Sequence, residues 1–179
     1  MSNTTLLHEL IALSANSSPG TIALSHGGNL ISYGELLDEV TRFSSGLMHL
    51  GIQRGERVAI YLEKRFETVI ASFGATAAGG VFVPLNPLLK AEQVGYILRD
   101  CNVRVLVTSP ERLALLQETL PACRDLRHVV VLDSAEPLPT IDGLNLCRWR
   151  DLLAAPAMPG QRVIDTDVVG ILYTSGSTG

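Results

Sequence analysis

Four short apolar runs are the sequence feature that most constrains the fold of this chain. They are separated by segments in which apolar residues recur with the spacing of a helix. The runs cover residues 57–62, 81–85, 104–108 and 128–132. Runs of this length are typical of strands that are buried on both faces of a parallel sheet. Because strands alternate with helices, we predict an α/β fold with a mainly parallel sheet, right-handed crossovers and helices on both faces, as in Rossmann-like subdomains.

The first long helical segment carries signals at both ends. Ser32 and Glu35 have the spacing of a capping box, which predicts a helix that begins at Tyr33. Gly51 follows the last apolar position and predicts where the helix ends. Spacings of four and three predict its buried face: Leu36, Val40, Phe43, Leu47 and Leu50. Similar patterns predict further helices over residues 66–77, 91–101 and 110–120.

The remaining segments complete the predicted organisation. Residues 1–20 are predicted to form a short amphipathic helix and a lead-in, and residues 21–179 an α/β subdomain. The subdomain is expected to start with a β-hairpin whose turn contains Gly27 and Gly28. Residues 133–146 lose periodicity and predict an irregular crossover loop.

Composition excludes several function classes. The chain has 179 residues with a net charge of −4, and no basic cluster indicates a nucleic-acid partner. Cys101, Cys123 and Cys147 form no CxxC pair, so neither a metal site nor a disulfide framework is predicted, and a reducing, cytoplasmic location is expected. Residues 68–89 carry no charge, but glycines and prolines interrupt them, which favours a buried helix and strand over a transmembrane segment.

The last residues of the chain carry the main functional signal. The apolar run 168–173 predicts a buried strand that leads into a loop of hydroxyls and glycines. Glycines let backbone N–H groups converge on an anion, and hydroxyls can donate to phosphate oxygens. We therefore predict a polyphosphate-binding loop of Thr174, Ser175, Gly176, Ser177, Thr178 and Gly179. A flexible Gly/Ser tail is the alternative that composition allows.

Other phosphate and acyl-transfer motifs do not fit this loop. A Walker loop needs a lysine that is absent, and no G-x-G-x-x-G follows any predicted strand. Ser175 and Ser177 each lack a glycine two positions earlier, so neither forms the nucleophile elbow of an acyl hydrolase.

Tyr173-Thr-Ser-Gly-Ser-Thr-Gly179 resembles the signature loop of AMP-forming adenylating enzymes, which include acyl-CoA synthetases, peptide-synthetase adenylation domains and luciferases. Three upstream elements in register strengthen this resemblance over residues 21–179. They are Ile31-Ser-Tyr-Gly-Glu-Leu36, Ala78-Gly-Gly-Val-Phe-Val-Pro-Leu-Asn-Pro87, and Tyr96-Ile-Leu-Arg-Asp100 with the strand after it. The Asn86-Pro87 ending resembles the acyl-CoA ligase branch, which favours a fatty or other long acyl substrate.

The resemblance implies that ATP, Mg²⁺ and coenzyme A take part in the reaction. A carboxylate would attack the α-phosphate of ATP and release pyrophosphate, and a thiol would then displace AMP from the acyl-adenylate. The loop would hold the β- and γ-phosphates, while Mg²⁺ would share their charge. No catalytic residue and no metal ligand is assigned within residues 1–179.

The family pattern continues beyond Gly179 with a lysine-bearing segment, a ribose-binding aspartate and a catalytic lysine. We therefore expect residues 1–179 to be an N-terminal portion that cannot catalyse adenylation alone. Purified residues 1–179 should release no pyrophosphate above background, and detectable acyl-AMP formation would contradict this prediction.

Two alternative functions remain open. The whole protein could transfer the acyl group to a carrier protein, or it could be a nucleotide-binding module without catalytic activity.

Overall fold

A five-stranded parallel sheet organises the protein, which the computed structural model describes over residues 6–133 and 136–174. The helices are α1 (Glu9–Ser17), α2 (Tyr33–His49), α3 (Phe66–Ala77), α4 (Ala91–Asp100), α5 (Pro110–Leu116) and α6 (Trp149–Leu153). The strands are β1 (Ile22–His26), β2 (Asn29–Ser32), β3 (Arg57–Tyr61), β4 (Val81–Pro84), β5 (Val103–Thr108), β6 (His128–Val131) and β7 (Asn145–Arg148). The sheet order is β4-β3-β5-β6-β7, with every pair parallel. This confirms the predicted α/β class.

Two apolar cores cover the two faces of the sheet. Successive residues of β3 alternate between them, with Val58 and Ile60 in one core and Ala59 and Tyr61 in the other. The first core includes side chains of α2, α3 and α6, and the second includes side chains of α4 and α5. Strand β3 is therefore buried on both faces, which explains its nearly continuous apolar sequence.

The local signals in the N-terminal part form the predicted structures. Strands β1 and β2 pair as an antiparallel hairpin, and both turn glycines have positive φ, +58° at Gly27 and +82° at Gly28. Ser32 and Glu35 form the reciprocal capping box at the start of α2, with Ser32 N donating to Glu35 Oε2 at 2.8 Å. Gly51 follows α2 with a φ of +82°, as its predicted stop position requires.

The predicted extent of α5 is wrong at its C-terminal end. The helix ends at Leu116 rather than at residue 120, and a 3-10 turn follows at Leu120–Ala122. Thr119 N donates to Leu116 O at 2.8 Å, which tightens the chain after the helix. Pro121 accounts for the early end, because it has no N–H to donate to the carbonyl of Gln117 and its ring would clash with that carbonyl in a continued helix.

The predicted crossover loop over residues 133–146 overlaps the start of a strand. Residues Asn145–Arg148 form β7, which pairs in parallel with β6 at the sheet edge. None of its four residues is fully buried. An edge strand of this kind lacks the continuous apolar run that identified the buried strands, so periodicity alone did not reveal it.

The uncharged stretch over residues 68–89 lies within α3, β4 and the loop after β4. Gly79 separates the helix from the strand with a φ of +78°. Throughout residues 6–133 and 136–174, no helix has both the length and the apolar character needed to cross a membrane.

Gly46 marks the closest approach of α2 and α6. A Cβ built at Gly46 would lie 2.5 Å from both the Cγ and the carbonyl oxygen of Leu152. We expect Gly46→Ala to lower the free energy of unfolding by about 1–3 kcal/mol, because the backbone of α6 must move. Urea unfolding measures this loss. Gly20→Ala is the control, since nothing lies within 4 Å of its Cβ position, and equal effects of both variants would contradict the packing argument.

Candidate functional site

The segment that leads to the predicted phosphate loop lies beside β4 at the sheet edge. Gly170 forms a single parallel bridge with Phe82 of β4. Phe82 N donates to Val169 O and Ile171 N donates to Phe82 O, both at 3.0 Å. A Cβ added to Gly170 would lie 2.9 Å from Phe82 Cζ, so the glycine permits this close approach. The segment therefore runs in the same direction as β4.

The prediction of a buried strand over residues 168–173 is wrong. Only Gly170 bridges to the sheet, and the side chains of Val168 and Leu172 are 63% and 71% exposed. The segment has β4 as a neighbour on one side, and nothing in the described part of the chain buries Val168 or Leu172. An apolar run cannot distinguish a central strand from an edge segment, because burial depends on the elements around it.

Asp167 anchors the start of this segment. Arg54 Nε and Nη2 donate to Asp167 Oδ2 and Oδ1 at 2.9 and 2.6 Å. Ile164 N also donates to Asp167 Oδ2, at 3.1 Å. The hydrogen bond from Arg54 is the main reason that the pKa of the Asp167 carboxyl is lowered, and the Ile164 amide adds to this shift. The carboxylate is therefore held in its charged form next to the guanidinium.

Tyr173 anchors the other end of the segment. Its hydroxyl donates a hydrogen bond to the Asp100 carboxylate at the C-terminal end of α4, and it lies 3.1 Å from Cys101 Sγ. Burial, followed by the hydrogen bond to Asp100, raises the pKa of the Tyr173 hydroxyl, so it remains protonated and can donate. Asp100, the last residue of α4, thus holds the residue that precedes the predicted loop.

The structure reaches only the first residue of that loop. Thr174 is described and exposed. The other predicted phosphate-binding residues lie outside the described residues: Ser175, Gly176, Ser177, Thr178 and Gly179. Their contacts to phosphate therefore stay predictions.

The carboxyl end of β3 carries a second cluster that sequence reasoning missed. The Arg112 guanidinium lies 4.7 Å from the centre of the Tyr61 ring. It also donates to Pro87 O at 2.5 Å and to Glu63 Oε1 at 3.0 Å. Tyr61 Oη donates to Leu89 O at 2.7 Å. These contacts brace the loop after β4 against the end of β3, where ligands collect in open α/β sheets.

Asn86 stabilises the turn in the loop after β4. Its Oδ1 accepts a hydrogen bond from Leu88 N at 2.9 Å, and its carbonyl accepts one from Leu89 N at 3.0 Å. An asparagine that bonds to the backbone two positions later is characteristic of a tight turn. Leu88 is consequently carried outward and is 87% exposed.

The cysteines lie outside any cluster suited to metal binding. Cys101 and Cys123 are buried and Cys147 is half-buried, all as free thiols. Burial raises the pKa of the Cys147 thiol to about 11, so it is protonated at neutral pH and unsuited to nucleophilic attack. Over residues 6–133 and 136–174, no group of three or more His, Cys, Asp or Glu side chains is placed to hold a metal ion.

The chain is similar to known enzymes over almost its whole length. The family model of AMP-binding enzymes matches residues 11–179. The 4-hydroxybenzoate–CoA/benzoate–CoA ligase of Rhodopseudomonas palustris is 34% identical over 165 residues, covering 92% of this chain and 30% of the ligase. Tyrocidine synthase 3 of Brevibacillus parabrevis is 31% identical over 176 residues, covering 97% of this chain and 2% of the synthase.

Solved structures agree with the sequence relatives. The crystal structure of an anthranilate CoA ligase in complex with anthranoyl-AMP superposes with a TM-score of 0.84 at 25% identity, covering 96% of this chain and 32% of the ligase. This chain thus spans about a third of the length of the CoA ligases that it matches. Since the family model matches from α1 to the last residue, the chain belongs to the AMP-binding enzyme family.

Proposed function

We propose that this chain is the N-terminal part of an AMP-forming acid–thiol ligase. The whole protein would join a carboxylic acid to AMP with release of pyrophosphate, and would then transfer the acyl group to the thiol of coenzyme A with release of AMP. The observation that carries this proposal is the match to a benzoate–CoA ligase, 34% identical over 92% of this chain.

The chemistry of the loop residues fits the role of a phosphate holder. Hydroxyl groups and glycine N–H groups are donors, and phosphate oxygens accept several hydrogen bonds at once. Thr174, which opens the loop, follows a segment anchored at Asp167, Gly170 and Tyr173. A loop that departs from fixed points can keep its donors aimed at the β- and γ-phosphates, where negative charge develops as pyrophosphate leaves.

Mg²⁺ would neutralise charge on the same phosphates, as in other phosphoryl-transfer sites. The described residues offer no cluster of three or more side chains to hold it. We therefore assign no Mg²⁺ ligand and no coenzyme A contact to this part of the protein.

A second function, loading of a carrier protein, is favoured by the match to tyrocidine synthase 3 over 97% of this chain. In that case the attacking thiol would belong to a phosphopantetheine arm rather than to free coenzyme A. Asn86 favours coenzyme A as the acceptor, because adenylation domains of peptide synthetases more often carry aspartate at this position. A third function, nucleotide binding without chemistry, predicts ATP binding without release of pyrophosphate.

The experiment that separates these functions uses the intact protein with ATP, a panel of acids and two acceptors. The panel contains fatty acids, the class predicted from the sequence, and aromatic acids, the class named in two of the matched ligases. We expect acyl-CoA to form with at least one acid. Thioester formation only on a carrier protein would overturn the coenzyme A proposal, and ATP binding without any thioester would favour the non-catalytic module. The cytoplasmic location and the division at residue 20 stay predictions.

A further inference from the structure

The Tyr173 hydroxyl joins two parts of the chain that are 73 residues apart in sequence. Its ring packs among the side chains of the second core, whereas its hydroxyl reaches the Asp100 carboxylate. The apolar contact requires only an aromatic ring, so a phenylalanine would preserve it. The hydroxyl adds a directed hydrogen bond to a charged acceptor, which is stronger than a bond between neutral groups.

This bond lies next to the predicted phosphate loop. Ile171 N donates to Phe82 O on β4, and Tyr173 makes the next described contact along the segment. Thr174 then opens the loop one Cα–Cα step later, about 3.8 Å along the chain. The position of the Tyr173 side chain therefore limits the point and the direction from which the loop departs.

Asp100 is well placed to fix that position. It is the last residue of α4, whose apolar residues Val94, Ile97 and Leu98 are buried in the second core. The next residue, Cys101, accepts a hydrogen bond at its carbonyl from Arg57 of β3, so the end of the helix is tied to the sheet. The carboxylate is thus attached to a rigid element rather than to a loop.

We propose that Tyr173 and Asp100 are positioning residues for ATP binding. Their hydrogen bond fixes the position of Tyr173, from which Thr174 leads into the predicted phosphate loop. This inference rests on the proposed function, because it assigns a ligand to the loop.

The test compares three variants in the intact protein. Tyr173→Phe removes the hydroxyl and keeps the ring, and Asp100→Asn removes the charge from the other side of the bond. We expect each to raise the KM for ATP about 5- to 10-fold, as loss of a hydrogen bond to a charged group implies. The KM for the acid should stay within twofold of wild type. Tyr96→Phe is the control, since Tyr96 also lies on α4 but is 46% exposed, and it should change neither constant.

The double variant tests whether the two residues act through one contact. Tyr173→Phe removes the bond and Asp100→Asn removes the charge that strengthens it. The double variant should therefore raise the KM for ATP no more than Tyr173→Phe alone. A KM for ATP within twofold of wild type in both single variants would overturn the inference. An equal rise in the KM for ATP and the KM for the acid, together with a lower melting temperature, would also overturn it, because that pattern indicates a purely structural role.

A direct binding measurement separates this inference from the proposed function. Fluorescence titration with a labelled ATP analogue reports loop binding even if no acid is turned over. A 5- to 10-fold weaker Kd in Tyr173→Phe and Asp100→Asn supports the positioning role in an inactive protein as well. Unchanged Kd values overturn that role, whereas absence of acid-dependent pyrophosphate exchange in the wild-type protein overturns the proposed function alone.

Discussion

Replacing Phe43 with alanine is expected to lower the free energy of unfolding by about 3–5 kcal/mol. The Phe43 side chain is fully buried in the first core, and its ring centre lies 4.8 Å from that of Trp149. A Cβ built at Gly74 would lie 2.6 Å from Phe43 Cδ1, which shows how closely α3 packs on the ring. The variant would therefore leave a cavity between α2, α3 and α6 that rigid neighbours cannot fill.

Urea unfolding followed by tryptophan fluorescence measures this loss, because Trp149 is the single tryptophan in this chain and contacts the Phe43 ring. Tyr96→Ala is the matched control, since Tyr96 is 46% exposed and its truncation creates no internal cavity. A loss below about 1 kcal/mol in Phe43→Ala would contradict the packing described for the first core.

Replacing Gly176 with valine in the intact protein is expected to lower kcat/KM for ATP at least about 100-fold. The predicted loop uses backbone N–H groups as phosphate donors, and removal of one such donor costs about 100- to 1,000-fold in comparable sites. A branched side chain at Gly176 would keep the backbone away from the phosphates and would restrict the conformations that glycine allows.

Gly20→Val is the control for this experiment, because nothing lies within 4 Å of a Cβ at Gly20. Steady-state kinetics of pyrophosphate release should separate the two variants, with Gly20→Val close to wild type. A change of less than threefold in Gly176→Val would contradict the assignment of residues 174–179 to the phosphates.

The sequence predicted those parts of the fold that depend on neighbouring residues in the chain. The capping box of Ser32 and Glu35 and the hairpin turn at Gly27 and Gly28 are local hydrogen-bond and backbone requirements. The apolar strands of the sheet centre were equally clear, because burial on both faces demands apolar residues at successive positions. Strand β7 was missed because an edge strand carries no such demand.

The anchors of the candidate site could not be predicted in the same way. The Asp167–Arg54 pair joins residues 113 positions apart, and the Tyr173–Asp100 bond joins residues 73 positions apart. No spacing rule connects such residues, since the fold alone brings them together. The tyrosine at the end of an apolar run did offer one signal, because a buried tyrosine hydroxyl needs a hydrogen-bond partner.

The exposed apolar segment over residues 168–173 shows the same dependence on tertiary context. Its sequence resembles that of the buried strands, yet only Ile171 and Tyr173 pack against the second core, while Val168 and Leu172 are exposed. The apolar sequence therefore predicted an extended segment at residues 168–173, but it could not predict that this segment has a neighbouring strand on one side only.

Acid-dependent exchange of labelled pyrophosphate into ATP by the intact protein tests the central claim most directly. If the chain is the N-terminal part of an AMP-forming ligase, exchange requires both ATP and a carboxylic acid, and acyl-AMP accumulates when the thiol acceptor is withheld. Binding of ATP without exchange, for every acid in the panel, would contradict that claim.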